Sequence, residues 1–292
     1  MDERTALRLL GRELPGAGDD AAVVDGQGLT TDMLHERTDF PAGTTRYTAG
    51  WRAVGASLSD VGAMGADATA AVAVYAAPSF EADDVRAFVE GAVDVCEAVD
   101  AEYVGGDLDT HREFTVVTTA LGRTDRPVRR SGAQVGDAVC VTGELGRSAA
   151  AVRAFDQGDA GRGNDLFQFT PRVEAGRTLR EHATAMMDSS DGLARSLHQL
   201  AEAGDCGFDV EWDRLPVHPA VESLAADATD RREMAAYFGE DFELVFTISP
   251  DDLQTVREAS PVDITEVGSV TASGVVADGE PIPDRGYTHG GD

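Results

Sequence analysis

The chain has 292 residues and a formal charge of −29, and all 24 of its basic residues are arginine. The absence of lysine excludes a Walker A lysine, a Schiff-base lysine and the strand lysine of protein kinases. No basic stripe is present, which argues against nucleic-acid binding. The acidic residues are spread along the chain, as is typical of proteins from a salt-rich cytoplasm, so a single aspartate is weak evidence for a site.

The sequence indicates neither membrane insertion nor export. No run of about 18 apolar residues appears, so we predict no transmembrane helix. The N-terminal stretch MDERTALRLLGREL carries acids and lacks the apolar region of a signal peptide. Cys96, Cys140 and Cys206 form no CxxC motif and fit reduced, mostly buried thiols. We therefore expect a cytoplasmic protein without disulfides.

The first half of the chain is predicted to alternate between strands and helices. A helix over 3–14 precedes a hairpin with strands over 21–24 and 29–32, and a loop is expected over 34–43. The further predicted elements are a helix over 44–64, a strand over 68–77, a helix over 80–99, a strand over 102–105 and a strand over 113–123.

The second half begins after a change of composition at 126–137, RPVRRSGAQVGD, where we place a domain boundary. The predicted domains are residues 1–130 and 131–292. Strands are expected over 138–142, 183–187, 208–212, 243–248 and 262–270, helices over 147–156, 173–182, 191–203, 219–226, 231–238 and 250–259, and a loop over 157–165. The alternation in both halves predicts an α/β (α+β) protein of two domains.

Acidic residues occupy both arms of the predicted hairpin at 18–32, GDDAAVVDGQGLTTD. A reversal in the middle of this stretch would return Asp20 to the side of Asp32. Two ionised carboxylates about 5 Å apart repel by roughly 3 kcal/mol at an effective dielectric constant of about 20, and a cation relieves that repulsion. Thr30 and Thr31 add hydroxyls to hard oxygen ligands of the kind that suits Mg²⁺ or Ca²⁺. An acidic, solvated turn explains the stretch equally well.

Further acids lie at predicted strand ends or inside an apolar helix. Asp107 follows the strand over 102–105, and Asp188 follows the strand over 183–187. Ligands of α/β proteins gather at strand ends. Asp60 lies in an apolar helix, where an unpaired buried carboxylate would be costly. The plainer alternatives are a loop turn at Asp107 and a solvated helix face at Asp60.

Hydroxyl and amide donors precede the helix predicted over 191–203. Ser190 and Asp191 lie in the string MDSSDGL, and donors at a helix N-terminus can cradle a phosphate, although an ordinary N-cap explains the string by itself. Arg130 has the forked guanidinium that suits phosphate oxygens, and an exposed linker arginine is the alternative. Together, these carboxylates, hydroxyls, glycines and arginines favour metal-assisted phosphoryl transfer.

Seven motifs, taken in order, give the sequence a resemblance to a known family. They are GDDAA at 18–22, TTDML at 30–34, SLSDVGAMGA at 57–66, GGD at 105–107, RSGAQVGD at 130–137, MDSSDGL at 187–193 and GEDFELVFT at 239–247. The ordered set resembles the thiamine-monophosphate kinase family, in the ATP-binding superfamily of aminoimidazole ribonucleotide synthetase and selenophosphate synthetase.

The resemblance implies direct in-line transfer of the ATP γ-phosphoryl group to thiamine monophosphate, giving thiamine diphosphate and ADP, with several Mg²⁺ ions. It implies a homodimer formed through an N-terminal mixed sheet with helices, and a C-terminal α/β domain. The implied catalytic residues are Asp60, Asp107 and Asp188; ATP would contact Gly106, Asp107, Arg130 and Ser190, and the substrate would contact Asp39 and Glu240. The implied metal ligands are Asp20, Thr30, Thr31, Asp32, Asp60, Asp107, Asp188 and Asp191.

Two positions depart from the family's pattern. The family usually has a substrate-contacting histidine just before the phenylalanine that matches Phe40, and this chain has Asp39 there. The family's C-terminal aromatic, which packs on the substrate, is matched by Gly290, and Tyr287 or an aromatic elsewhere could substitute for it. Both departures fall on the thiamine side of the implied site.

Two other functions stay open. One is a sibling enzyme of the superfamily that phosphorylates another small molecule, although the chain lacks the reactive N-terminal Cys/Lys region of selenophosphate synthetases and the C-terminal cysteine of hydrogenase-maturation relatives. The other is a nucleotide- or metal-binding regulator without turnover, which would bind ATP but release no ADP when thiamine monophosphate is added.

Overall fold

The structure of the protein is a computed structural model that describes residues 10, 11, 13, 14 and 16–287. Most of the helix predicted over 3–14, together with Gly290, lies outside the described residues. No helix among the described residues is long and apolar enough to cross a membrane.

The first half of the chain folds into a five-stranded sheet with helices packed on one face. The strands are β1 (Ala22–Val24), β2 (Gln27–His35), β3 (Asp67–Ala77), β4 (Glu102–Thr110) and β5 (Thr115–Arg123), in the spatial order β1-β2-β5-β3-β4. The helices are α1 (Glu36–Asp39), α2 (Arg46–Ala63) and α3 (Ala82–Glu97). β3 and β4 run parallel and the other pairs are antiparallel, which confirms the predicted mixed sheet.

The second half forms a seven-stranded sheet in the order β12-β11-β8-β10-β6-β9-β7. Its strands are β6 (Ala138–Thr142), β7 (Ala183–Asp188), β8 (Gly207–Val210), β9 (Leu244–Ile248), β10 (Ile264–Thr271), β11 (Val275–Ala277) and β12 (Glu280–Pro281). Its helices are α4 (Arg147–Asp156), α5 (Ala160–Phe167), α6 (Val173–Leu179), α7 (Leu193–Gly204), α8 (Pro219–Leu224), α9 (Ala228–Arg232) and α10 (Leu253–Ala259), with a 3₁₀ turn at Trp212–Arg214 and a π-helical turn at Glu233–Tyr237.

Local composition misled the prediction in two loops. The stretch 157–165 was expected to be a loop because of its glycines and aspartates, but it contains most of α5. Asp159 caps this helix by accepting a hydrogen bond from the backbone N–H of Arg162, so the aspartate that suggested a loop in fact starts a helix. The loop predicted over 34–43 likewise contains the end of β2 and all of α1.

Strand pairing extends β4 beyond its predicted end at Gly105. The strand continues through Asp107, which lies opposite Val74 of β3 in the parallel ladder. The glycine pair before Asp107 suggested a turn, but the hydrogen bonds of the ladder hold the chain extended there. Asp107 therefore lies on the strand rather than in a loop after it.

Two of the three thiols are inaccessible. Cys96 and Cys140 are buried, Cys206 is partly exposed, and all three are free. Burial raises the pKa values of Cys96 and Cys140 to about 12, so both remain protonated at neutral pH.

The long helices α2 and α3 cross at glycines. A Cβ atom at Gly91 would lie 2.0 Å from the carbonyl oxygen of Tyr47, and one at Gly50 would lie 2.1 Å from that of Phe88. Both obstacles are backbone atoms, so the helices can approach this closely only because neither position has a side chain. The close crossing fixes α2 against α3.

The same helix also packs against the second half. Gly62 of α2 meets Gly176 of α6, where an added Cβ would lie 2.0 Å from the Gly62 carbonyl oxygen. The segment 124–137 connects β5 of the first sheet to β6 of the second and contains the predicted boundary at residues 130 and 131, which stays a prediction.

We expect Gly91→Ala to lower the free energy of unfolding by about 1–3 kcal/mol, because the new methyl group would overlap a backbone carbonyl that cannot move without separating two helices. Chemical denaturation at constant salt measures this change. The matched control is Gly161→Ala in α5, where the nearest atom to an added Cβ is 3.8 Å away. That variant should gain up to about 1 kcal/mol from helix propensity. Unchanged stability of Gly91→Ala would show that the crossing is looser than described.

Candidate active site

Three carboxylates from distant parts of the chain meet at one point. One oxygen each of Asp20, Asp60 and Asp188 lies within 4.8 Å of the others. Asp20 precedes β1, Asp60 lies in the last turns of α2, and Asp188 ends β7. We call these three residues the acid cluster. The structure thus brings together three of the residues proposed from the sequence as metal ligands.

Neighbouring donors orient each carboxylate of the acid cluster. The Thr30 hydroxyl donates to Asp60 Oδ2 at 2.5 Å, and the Ser59 hydroxyl donates to Asp188 Oδ2 at 2.6 Å. Arg130 donates from Nε and Nη2 to the two oxygens of Asp20, at 3.2 and 3.0 Å. Arg130, which the resemblance implied as an ATP contact, therefore forms a salt bridge with Asp20 of the acid cluster in this structure.

Burial and the charges of neighbouring carboxylates favour protonation of Asp60 and Asp188. Burial raises the pKa of Asp188 to about 8, and the charge of Asp20 adds to the shift. Burial also holds the pKa of Asp60 well above its usual range, together with the charges of Asp32, Asp188 and Asp20. Three carboxylates beside one arginine leave an excess of negative charge, which protons or a bound cation can balance.

Strand alternation separates the three predicted ligands on β2. Thr30 and Asp32 face α2, and Asp32 Oδ2 accepts a hydrogen bond from the Ser57 hydroxyl at 2.6 Å. Thr31 lies on the other face, is exposed, and donates its hydroxyl to the Thr118 carbonyl oxygen at 2.8 Å. Because successive side chains of a strand point to opposite faces, the side chain of Thr31 does not join the acid cluster.

Gly106 and Asp107 lie on β4, at the edge of the first sheet. Three strand spacings, about 14 Å in all, separate β4 from β2 in the order β2-β5-β3-β4. The Asp107 carboxylate is exposed and accepts a hydrogen bond from the backbone N–H of Leu108 at 2.9 Å. Within one chain, the structure does not bring Asp107 to the acid cluster.

The loop between β7 and α7 connects the acid cluster to a second region. The backbone N–H of Glu240 donates to the Ser190 carbonyl oxygen at 2.6 Å, and that of Tyr287 donates to the Asp191 carbonyl oxygen at 3.2 Å. Ser190 and Asp191 follow Asp188 by two and three residues, so they lie within about 10 Å of it. α7 begins at Leu193, two residues later than predicted.

This second region is a cavity of about 670 Å³ that we call the acceptor pocket. Its wall combines aromatic rings with carboxylates: Phe40, Phe155, Tyr237, Tyr287, Asp39 and Glu240. Asp39 is buried and accepts hydrogen bonds from the backbone N–H of His35 at 2.6 Å and from the Thr38 hydroxyl at 2.8 Å. The Tyr287 hydroxyl donates to Asp39 Oδ1 at 3.4 Å. Asp39, which replaces the family's histidine, is therefore in contact with Tyr287, the residue suggested as a substitute for the family's C-terminal aromatic.

The segment that carries Glu240 has an unusual backbone. Gly239, Glu240 and Phe242 have φ angles of 87°, 58° and 54°, in the left-handed region that costs energy for residues with side chains. Such outliers persist where the surroundings hold them in place, as they often do at functional sites.

Sequence reasoning missed three polar residues that hold the site together. Ser57 and Ser59 precede Asp60 in the string SLSD, and that string was the available signal for them. Arg52 lies in the interior of an apolar helix, and it is wholly buried. A charged residue at a buried helical position is the signal that could have identified it.

The fold and the acid cluster place the chain in a known class of proteins. The model of the AIR synthase related protein, N-terminal domain, matches residues 18–124, and that of the C-terminal domain matches residues 134–278. The chain therefore belongs to the AIR synthase related proteins.

Full-length relatives show to which family within this class the chain belongs. The chain is 62% identical to a thiamine-monophosphate kinase of Halobacterium salinarum, over 99% of this chain and 100% of that protein. It is 39% identical to one from Methanospirillum hungatei, over 99% of each. It superposes on AaThiL complexed with AMPPCP and TMP with a TM-score of 0.89, at 28% identity, covering 99% of this chain and 97% of that chain. The chain belongs to the thiamine-monophosphate kinase family of phosphotransferases, and the two-domain α/β fold expected from the resemblance is confirmed.

We expect Mg²⁺ to bind more tightly as the pH rises from 6 to 8.5, and its binding to release protons. The pKa of Asp188 is about 8 in the folded protein and 3.8 ordinarily, so its raised value favours folding at low pH and this contribution is lost as the pH rises toward 8. A cation binds the ionised form and restores stability there. Calorimetric titrations in buffers of different ionisation enthalpy count the protons.

The matched control for this titration is Asp83→Asn, which removes an exposed carboxylate on α3 and should leave Mg²⁺ binding unchanged. Asp188→Asn should lower the number of protons released. Mg²⁺ affinity that does not depend on pH, with no protons released, would contradict the assignment of the metal site to the acid cluster.

Proposed function

We propose that this chain transfers the γ-phosphoryl group of ATP directly, in line, to the phosphate of thiamine monophosphate, with several Mg²⁺ ions, giving thiamine diphosphate and ADP. The observation that carries the proposal is the acid cluster, joined by one short loop to the acceptor pocket. The names of the relatives and the two ligands of the AaThiL structure support the choice of substrates.

The donor atoms of the acid cluster suit Mg²⁺. They are hard carboxylate oxygens with excess negative charge, and their close spacing and burial favour binding of a cation between them. Asp20, Asp60 and Asp188 would hold the ions, with Thr30, Asp32 and Asp191 close by. Bound Mg²⁺ supplies charge neutralisation at the phosphates.

The protein residues contribute orientation rather than covalent chemistry. Ser59, Thr30 and Arg130 fix the carboxylates of the acid cluster, so little reorganisation is needed when the phosphates arrive. Ser190, in the connecting loop, lies where it could donate to a phosphate oxygen. With two phosphates held together, transfer requires no group of the enzyme as a nucleophile.

The chemistry of the acceptor pocket suits thiamine. The thiazolium ring is an aromatic cation, and cations of this kind bind favourably on aromatic faces and near carboxylates. Glu240 and Asp39 supply the negative charge, while Tyr287 and Phe40 supply the rings. We propose that Tyr287 and Asp39 together serve where the family usually has an aromatic and a histidine.

We further propose that the chain acts as a homodimer joined through the open face and edge of its first sheet. That region exposes large apolar side chains in the folded monomer, and such a patch is typical of an interface. The exposed residues are Leu29, Met33, Val72, Val104 and Leu108. Pairing there would give Gly106 and Asp107 a route to the nucleotide of the partner subunit, and this explains their distance from the acid cluster of their own chain.

The test of the proposed reaction is release of ADP in high salt with Mg²⁺. We expect release to require thiamine monophosphate and not to occur with thiamine. Asp60→Asn should lower kcat by at least about a hundredfold, because it removes a carboxylate that would hold the Mg²⁺ ions and thereby weakens charge neutralisation at the phosphates. The Asp83→Asn variant serves as the control. Wild-type turnover in Asp60→Asn would contradict the metal assignment; release with another acceptor would favour a sibling enzyme, and ATP binding without release would favour a regulator.

We expect Val104→Glu to convert the dimer to a monomer and to lower activity by at least about tenfold, because it places a charge in the apolar patch. Light scattering after size-exclusion chromatography measures the mass. Val135→Glu, at an exposed position outside the first sheet, is the control. A wild-type chain that is monomeric and active would contradict the proposed dimer.

A further inference from the structure

We infer that Arg52 is a positioning residue for the acceptor: it holds the Glu240 carboxylate in the acceptor pocket and ties it to α2, the helix that carries Asp60. The inference rests on the proposed function, because Glu240 is proposed to contact the substrate. Arg52 itself is wholly buried, so its role would be to act through Glu240.

Arg52 reaches Glu240 at two points. Its Nη2 donates to Glu240 Oε2 at 3.0 Å and to the Glu240 carbonyl oxygen at 3.1 Å. The Ser148 hydroxyl donates to the same carbonyl oxygen at 2.6 Å. Because both the side chain and the backbone of Glu240 are held, its left-handed conformation, with φ of 58°, is fixed rather than free to relax.

The rest of the guanidinium is anchored independently of Glu240. Its Nη1 donates to the Phe167 carbonyl oxygen at 2.8 Å, and its central carbon lies 3.5 Å from the centre of the Phe167 ring. The rings of Phe169 and Phe242, which stack with their centres 4.3 Å apart, lie 5.5 Å from the same carbon. An arginine fixed on three sides gives Glu240 a rigid partner.

Glu240, by contrast, lies at the boundary between Arg52 and the cavity. Its side chain remains 22% exposed, against 1% for Arg52, and it lines the acceptor pocket. One carboxylate oxygen is bound by Arg52, so the orientation of the whole group toward a ligand is set from behind. A buried cation that is held by contacts away from the cavity is the arrangement expected of a support for a binding group.

α2 extends this support to the phosphate end of the site. Arg52 and Ser59 are seven residues apart, so they lie on one stripe of the helix, about 10 Å apart along its axis. Ser59 donates to Asp188 of the acid cluster, and Arg52 donates to Glu240. A single rigid helix thus sets the spacing between the acid cluster and the acceptor pocket.

Arg52→Gln tests this role. We expect the KM for thiamine monophosphate to rise about tenfold, while kcat and the KM for ATP stay within about threefold, because one charge-assisted contact that orients the acceptor is lost. Arg52→Lys keeps the charge but not the forked, stacked guanidinium, and should recover part of the loss. The matched control is Arg172→Gln, which breaks a comparable ion pair with Glu243. Glu243 lies in the same GEDFELVFT motif as Glu240 but does not line the acceptor pocket. Arg172→Gln should lower thermal stability without changing the KM for thiamine monophosphate.

An unchanged KM for thiamine monophosphate in Arg52→Gln would overturn the inference, as would an equal rise in the KM values of both substrates. If that variant does not fold, the arginine ¹⁵N–¹H spectrum of the wild-type protein provides the test. The signal of the Arg52 guanidinium is assigned as the one that is lost in Arg52→Lys. Thiamine monophosphate should shift this signal and Mg²⁺ with AMPPCP alone should not; a signal unmoved by the acceptor would overturn the inference. Absence of thiamine monophosphate-dependent ADP release from the wild type would instead refute the proposed function itself.

Discussion

The mutual repulsion of three buried carboxylates is the constraint on which the site depends. Asp20, Asp60 and Asp188 come from a loop, a helix and a strand, and folding brings their oxygens within 4.8 Å of one another. Nothing about apolar burial requires this arrangement, and one arginine cannot balance it. Protons or a divalent cation at the centre would relieve the repulsion, and in the proposed function the acid cluster is the site that binds the metal.

The helix α2 is the element that converts this cluster into a shaped site. Glycines let it approach both halves of the protein closely, and nearly all of its residues are buried. Three of its polar residues have partners in the site: Arg52 with Glu240, Ser57 with Asp32 and Ser59 with Asp188. A rigid support of this kind is what phosphoryl transfer requires, since positioning supplies most of the rate.

Most of the fold could be predicted because local patterns and tertiary packing agree. The long helices and the apolar strand β3 followed from periodicity, and their observed ends differ from the predicted ones by only a few residues. The predictions failed where pairing or capping overrides composition, as at the extension of β4 through Asp107 and at the start of α5 at Asp159. Neither event is visible from residue type alone.

The acids of the site could be proposed from the sequence because they lie in motifs that follow the family's order. Which of these acids come together in space could not be predicted. Periodicity indicates which residues share a strand face, so Thr31 could have been separated from Thr30 and Asp32. The distance of Asp107 from the acid cluster depends on strand order, which is a long-range property. Arg52 escaped notice because its partner Glu240 lies 188 residues away.

The most direct measurement is a crystal structure of the protein grown with Mn²⁺ and AMPPCP, with anomalous scattering to locate the metal. We expect an anomalous peak in coordination contact with carboxylate oxygens of Asp20, Asp60 and Asp188, next to the phosphates of the nucleotide. A nucleotide bound with its metal ions elsewhere, and the acid cluster holding none, would contradict it.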